Sequence, residues 1–213
     1  MVKIEKLDME RTELIRKIGK LFPDGKGVEV GTFKGAFARE ILLNWSGHLY
    51  MVDVWRGLDD SEYQDGSNHI IHTDAYELTI NNIGGFEHRA TMIRTTSTQG
   101  ADLFQDNSLD FVYIDANHAY DYVVEDMEKW YPKVKNGGYL IGHDYLDIDW
   151  NNNEFKLLDN GKDIYLDKPL EGQEFNAQGI FGVNPAVHEF CEKYNHTDLK
   201  LTNEFFSSWI IRK

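Results

Sequence analysis

The hydrophobic positions of this chain alternate between two spacings. Ile4, Leu7, Leu14, Ile15, Ile18, Leu21 and Phe22 recur largely at helical intervals and meet a stop at Pro23-Asp24-Gly25, which predicts a helical lead-in over residues 1–24. Gly27–Val30 is a short strand-like run that breaks at Gly31, and Ala36–Trp45 then resumes helical spacing. His48–Val54 predicts a second strand ending at Asp53, followed by a polar, glycine-dotted connection from Arg56 to Asn68. Beyond it the pattern predicts a helix over Thr73–Ile83, a strand over Ala90–Arg94 and a helix over Gln99–Phe104. Leu109–Ile114 is nearly continuous apolar sequence, as a parallel strand covered on both faces requires. A helix over Tyr122–Tyr131, a strand over Tyr139–Ile141, a helix over Ala186–Tyr194 opened by Pro185 and a strand over Phe205–Ile211 complete the series.

This alternation predicts a single α/β domain spanning residues 1–213, doubly wound, with a mostly parallel central sheet and helices on both faces. Residues 146–181 interrupt it with a long polar, irregular insertion that reads as a lid or an interface element.

In such a sheet ligands settle at the carboxyl ends of strands, which directs attention to Gly31, Asp53, Asp115 and Asp144. Gly31 and Gly35 bracket a turn into a helix, with Thr32 and Phe33 between them, where absent side chains admit a ligand to the backbone. Phe33 stands where many nucleotide loops carry glycine. Asp53 can accept two hydrogen bonds from a ribose diol. Together with Glu29, these residues point to a nucleotide-type cofactor; otherwise Glu29 is a buried carboxylate satisfied by backbone donors and Asp53 caps the next segment.

Asp115-Ala116-Asn117-His118 puts a carboxylate and an imidazole on one short loop. Histidine suits proton abstraction near neutral pH and carboxylate oxygens suit Mg²⁺, so His118 is a candidate base and Asp115 and Asp144 are candidate metal ligands. The structural alternatives are that His118 caps the helix near Tyr120 and that Asp144 braces a loop. His69 and His72 fall in the polar connection, and His88, His188 and His196 read as surface residues.

The formal net charge of -14 disfavours nucleic acid and anionic membrane surfaces and favours a neutral or cationic small-molecule substrate. With one cysteine, Cys191, no intrachain disulfide can form; the thiol reads as structural and the setting as reducing and cytoplasmic. The N-terminal residues lack the apolar run of a signal peptide, and no stretch is long enough to span a membrane.

VEVGTFKGAFARE, YMVDVW and LDFVYIDANHAYDYVVEDMEKWYPKVKNGGYLIGHDY resemble small S-adenosylmethionine-dependent methyltransferases, including the macrolide-sugar O-methyltransferases of the macrocin type. The resemblance runs from Gly27 to Tyr145 and resumes in GVNPAVHEF and WIIRK. It implies a Rossmann-like methyltransferase fold with S-adenosyl-L-methionine as cofactor. Glu29 and Gly31 would serve its methionine end, Asp53 its ribose, and Thr96 and Ser97 its adenine, with Thr32, Phe33, Gly35 and Val54 alongside. Asp115 would face the methyl-transfer centre, Asp115 with His143 and Asp144 would hold Mg²⁺, and His118 would be the base. His143 stands where a carboxylate is common, which softens the ligand set and leaves a metal-free variant open.

The reaction so implied is in-line transfer of a sulfonium methyl to a small-molecule hydroxyl, on a sugar or another natural product. Tyr63, Trp150, Phe155, Tyr165 and Phe175, on the two irregular segments, would close over that substrate or build a homo-oligomer contact. Other readings are an N-methyltransferase, a catalytically silent cofactor-binding partner, and a nicotinamide-dependent oxidoreductase, the last lacking its G-x-G-x-x-G spacing.

Overall fold

The computed structural model describes residues 2–56, 69–146, 156–166 and 179–213. In chain order the strands are β1 (Lys3–Lys6), β2 (Lys26–Val30), β3 (His48–Asp53), β4 (Ala90–Arg94), β5 (Leu109–Ile114), β6 (Val134–Tyr145), β7 (Lys156–Leu157), β8 (Ile164–Leu166), β9 (Gly179–Phe181), β10 (Asp198–Leu201) and β11 (Ser207–Arg212). The helices are α1 (Arg11–Leu21), α2 (Ala36–Asn44), α3 (His69–Asn82), α4 (Ser97–Ala101), α5 (Tyr120–Trp130) and α6 (Val183–Lys193).

Eight strands form one sheet in the order β1-β10-β11-β6-β5-β2-β3-β4. Pairing is parallel from β4 through β6 and antiparallel on both sides of β11. The chain winds outward from β2 to β3 and β4, then returns to lay β5 on the other side of β2. The carboxyl ends of β2 and β5 therefore form the topological switch point where open α/β sheets bind ligands.

The continuous apolar run of β5 is explained by its two covered faces. Val112 and Ile114 pack into a core with α4, α5 and α6, whereas Phe111 and Tyr113 pack into a second core with α1, α2 and α3. This is the doubly wound, mostly parallel architecture that the alternating pattern predicts.

Several boundaries differ from the sequence expectation. The lead-in over residues 1–24 is helical only from Arg11 to Leu21, because Lys3–Lys6 is a strand lying parallel to β10. All four of its residues are exposed, so the strand carries no hydrophobic alternation to read. β6 extends far beyond Tyr139–Ile141, and α4 starts at Ser97 and ends at Ala101. The insertion at 146–181 is not wholly irregular: β7, β8 and β9 make a separate antiparallel sheet. Tyr165 lies on its central strand, while Tyr63, Trp150, Phe155 and Phe175 fall outside the described residues. His188 and His196 are half-buried and bonded to the Tyr145 and Tyr131 hydroxyls, contrary to the surface reading. Cys191 is fully buried, and burial pushes its thiol up to about 12. Among the described residues no helix is long and apolar enough to cross a membrane.

Candidate active site

The turn after β2 is built against the end of β5. Gly31 adopts φ +86°, and a Cβ there would lie 2.1 Å from the Asp115 carbonyl oxygen, so only glycine lets the two strand ends approach this closely. Phe33 is also left-handed, at φ 51°, a conformation that non-glycine residues rarely adopt. Three hydrogen bonds hold it there. Its amide donates to Asp53 Oδ2 at 2.8 Å, and its carbonyl accepts from Trp55 Nε1 at 2.7 Å and from Thr79 Oγ1 at 2.8 Å. These bonds explain how the loop makes a tight turn without glycine at Phe33.

Asp53 also receives the Trp55 amide on Oδ1 at 2.8 Å, so its carboxylate braces both loops that leave β2 and β3. Each oxygen retains a second lone pair for a diol. Below the turn Glu29 is buried, and burial pushes its carboxyl well above the usual range. The Thr32 hydroxyl opposes that rise, and apart from one another Glu29 Oε2 and Thr32 Oγ1 meet no hydrogen-bond partner among the described residues. So thin a set of partners is costly for buried polar groups.

A cavity of about 350 Å³ opens from this turn. Of the residues expected at a cofactor, Gly31, Asp53, Val54, Thr96 and Ser97 line it. Glu29, Thr32, Phe33, Gly35 and Asp115 do not: the first two are buried beneath the turn, Phe33 is partly exposed and Gly35 caps α2. The cavity also takes in Arg56, Asn117, Tyr122, Glu125 and Asp126, which sequence reasoning left unassigned.

Beside the cavity the ends of β5 and β6 bring Asp115, His118, His143 and Asp144 together. His118 Nε2 lies 2.7 Å from Asp144 Oδ2 and 3.5 Å from Asp115 Oδ1. His143 Nδ1 lies 3.3 Å from Asp144 Oδ2 and 3.9 Å from Asp115 Oδ2. Neighbouring strand residues normally point to opposite faces, so a regular β6 could not aim both His143 and Asp144 here. The pairing shows how it does: Gly142 faces Trp209 and Tyr145 faces Ser207, so two residues of β6 oppose Ser208 alone. This bulge, with Asp144 at φ 56°, turns both side chains toward the cluster.

The cluster is electrostatically tight. Burial alone would lower the proton affinity of His118, but the Asp144 and Asp115 carboxylates hold it well above the usual histidine range. Burial likewise opposes protonation of His143, and the same two carboxylates raise it. Asp144, against its burial, is held below the usual carboxylate range by the two imidazoles. Asp115, His118 and Asp144 each offer a ligand atom, all within 4.8 Å of one another. A divalent cation that accepts mixed oxygen and nitrogen donors fits this set, with the carboxylates the better ligands for Mg²⁺.

Two further elements reach the cluster without a signal in the sequence. Arg11 opens α1 with its guanidinium 4.4 Å over the Phe37 ring and 3.8 Å from Asp115 Oδ2. Its amide donates to Glu204 Oε1, a helix cap supplied from the far end of the chain. From the other side the small sheet grips the loop of His118. The Gly182 amide donates to the His118 carbonyl at 2.7 Å, Phe181 stacks on the imidazole with centroids 5.5 Å apart, and Asp163 Oδ1 accepts the Tyr120 amide at 2.8 Å.

A family model described as a methyltransferase domain matches residues 28–145, more than half of the chain. A stretch of 45 residues is 38% identical to an uncharacterized protein, R132, of Acanthamoeba polyphaga mimivirus. It covers 21% of this chain and 20% of that one, so the chain spans about a fifth of the length of the curated relative it matches. Among solved structures, the O-methyltransferase NovP superposes with a TM-score of 0.57 at 15% identity, covering 95% of this chain and 79% of its own. A Corynebacterium glutamicum protein superposes with a TM-score of 0.56 at 12% identity, covering 97% and 83%. At these identities the likeness establishes the fold.

Proposed function

Because this chain belongs to the methyltransferase-domain family, which implies S-adenosylmethionine as methyl donor, we propose that it methylates an oxygen of a small molecule at the cluster of Asp115, His118 and Asp144. The observation that carries the proposal is the placement of this proton-binding cluster directly beside a cavity that begins at the switch-point turn. The superposition on NovP, itself an O-methyltransferase, supports oxygen as the acceptor atom.

The protein's residues fit the donor. Asp53 keeps lone pairs for a ribose diol, Gly31 opens the cavity at the switch-point turn, and Thr96 and Ser97 line it. When bound, S-adenosylmethionine supplies an electrophilic methyl on a sulfonium. The chain's own contribution is alignment and proton handling. His118, in its deprotonated form, would take the acceptor's hydroxyl proton; the facing carboxylates, Asp144 at 2.7 Å and Asp115 at 3.5 Å from Nε2, raise its affinity for a proton and hold the imidazolium that results. Asp115, Asp144 and His143 would hold a divalent cation, whose chemistry would be to lower the pKa of a bound hydroxyl. The acceptor class proposed is a sugar or natural-product hydroxyl, as in the macrocin-type resemblance.

The test is calorimetric titration with S-adenosylhomocysteine and with NAD, followed by incubation with methyl-labelled donor and a panel of sugar, phenol and amine acceptors. Homocysteine-nucleoside binding without NAD binding, and label on an oxygen, are the expected results. Label confined to amines, or NAD binding alone, overturns the proposal.

A further inference from the structure

The strand that leaves the small sheet holds His118 at two points. The Gly182 amide donates to its carbonyl, and the ring of the preceding residue, Phe181, lies along the face of its imidazole with the two planes 20° apart. Phe181 is backed in turn by Phe206, whose ring lies 6.1 Å away and 22° from parallel, and Phe206 meets Phe205 edge-on at 4.8 Å. This aromatic column draws on three separate segments: the loop after β5, the strand β9, and the connection between β10 and β11. Phe181 is fixed from its own side as well. It is 9% exposed, pairs with Ile164 of β8, and shares a small core with Leu146, Ile164 and Leu166.

The imidazole has need of such a contact. The χ2 torsion of a histidine is broad, so its ring plane is weakly set by the side chain alone. Nε2 faces Asp144 at 2.7 Å and Asp115 at 3.5 Å, so the two carboxylates hold one edge of the ring. A bond at one edge still allows the ring to tilt about it. The lone pair of an imidazole nitrogen lies in the ring plane, so the tilt decides which proton the base can reach. A flat partner against the face removes that freedom.

We propose that Phe181 is a positioning residue for methyl transfer, setting the plane of the His118 imidazole by stacking on it. This rests on the reading given above, with His118 as the base. The role belongs to the ring of Phe181 and not to its volume, because an aliphatic side chain can fill the same space without offering a flat face. It also gives the small sheet a part in the chemistry. Two consecutive residues, Phe181 and Gly182, hold the side chain and the main chain of His118 at once.

A double-mutant cycle with methyl-labelled donor tests this. Phe181→Leu keeps apolar bulk and removes the face; it should lower kcat roughly 10- to 100-fold, the cost of a misplaced reacting group, with the donor KM within about twofold of wild type. Phe181→Tyr restores the face and should recover most of that loss. In a His118→Ala background Phe181→Leu should cost less than about twofold, because the group it orients is already gone. No loss in Phe181→Leu, an equal loss in both backgrounds, or a Phe181→Tyr protein no faster than Phe181→Leu overturns the proposal. If circular dichroism shows that Phe181→Leu does not fold, Phe206→Leu takes its place, loosening Phe181 from behind. Its smaller loss of kcat should likewise vanish without His118, and a loss that persists there, or no loss, overturns the proposal. Wild-type protein that labels no acceptor, or that loses nothing in His118→Ala, overturns the reading of His118 as base and this inference with it. An impaired His118→Ala protein with additive losses overturns this inference alone.

Discussion

The amide of Gly182 and the carbonyl of His118 are joined by a 2.7 Å hydrogen bond, which ties the loop carrying the imidazole to the strand that leaves the small sheet. The join is too close for any larger residue. A Cβ on Gly182 would stand 2.2 Å from Asp163 Oδ1 and 2.5 Å from the Tyr120 amide nitrogen. Gly182→Ala should therefore displace Asp163 from the start of α5 and cost roughly 1–3 kcal/mol, as overpacking does. Thermal unfolding measures the cost, and an unaltered melting temperature would show that the small sheet is not clamped to the His118 loop.

His118→Ala should lower methyl transfer by about 10²- to 10⁴-fold, the usual contribution of a positioned acid–base group, and leave S-adenosylhomocysteine affinity within about twofold. The cavity wall does not include His118, which is why binding should be spared. Single-turnover assays beside calorimetry separate the two effects; equal losses in both would make His118 a structural residue.

Gly31→Ala places its methyl group against the Asp115 carbonyl oxygen and forces alanine to φ +86°. The strand ends of β2 and β5 must then part, so the variant should be less stable by roughly 2 kcal/mol or more and should lose nucleoside binding. Denaturant unfolding and calorimetry check both, and retained binding would detach the switch-point turn from cofactor recognition.

Asp126 sets a pH dependence of stability. Burial makes its carboxyl titrate at about 7 in the folded protein, against the ordinary 3.8 when unfolded, so its contribution is complete below pH 4 and is lost as pH rises to about 7. The full difference is on the order of 4 kcal/mol. Other groups on the wall, Asp53, Arg56 and Glu125, are common to Asp126→Asn, so the measurement is the difference between the two proteins. Stability of the wild type should fall relative to Asp126→Asn between pH 4 and 7. Parallel stability curves would contradict a buried, protonated Asp126.

Exhaustive chelation should reduce methyl transfer and added Mg²⁺ should restore it, since Asp115 and Asp144 present carboxylates within 4.8 Å of the His118 nitrogen. Full activity after chelation would leave the carboxylates to the imidazoles alone.

The parts of the fold that could be read from sequence are those whose burial leaves a pattern. β3, β4 and β5 are recovered nearly to the residue because each packs between covered faces or ends at a polar break. β1 is illegible because an exposed edge strand, KIEK, has no apolar face. Gly31, Asp53 and Asp115 stand out because they end strands, Asp144 because it lies near the end of β6 and His118 because it follows Asp115 on the same loop, and strand ends are where this architecture binds ligands. Asp126 does not stand out, because a carboxylate on an amphipathic helix reads as a solvated position. Arg11 is hidden for another reason: Glu204, which caps its helix, lies 193 residues away in sequence, beyond the reach of any local pattern. The bulge at His143 and Asp144 depends on register with β11, which is a property of two strands together.

The pairing of β1 with β10 has a temporal side. Lys3 lies opposite Asp198, and Leu7 and Met9 are bonded to Leu201 and Asn203, so a segment that precedes the parallel core strands finds its partner beyond them. The rest of the sheet can assemble as it emerges, whereas α1 gains its tertiary cap only when Glu204 arrives.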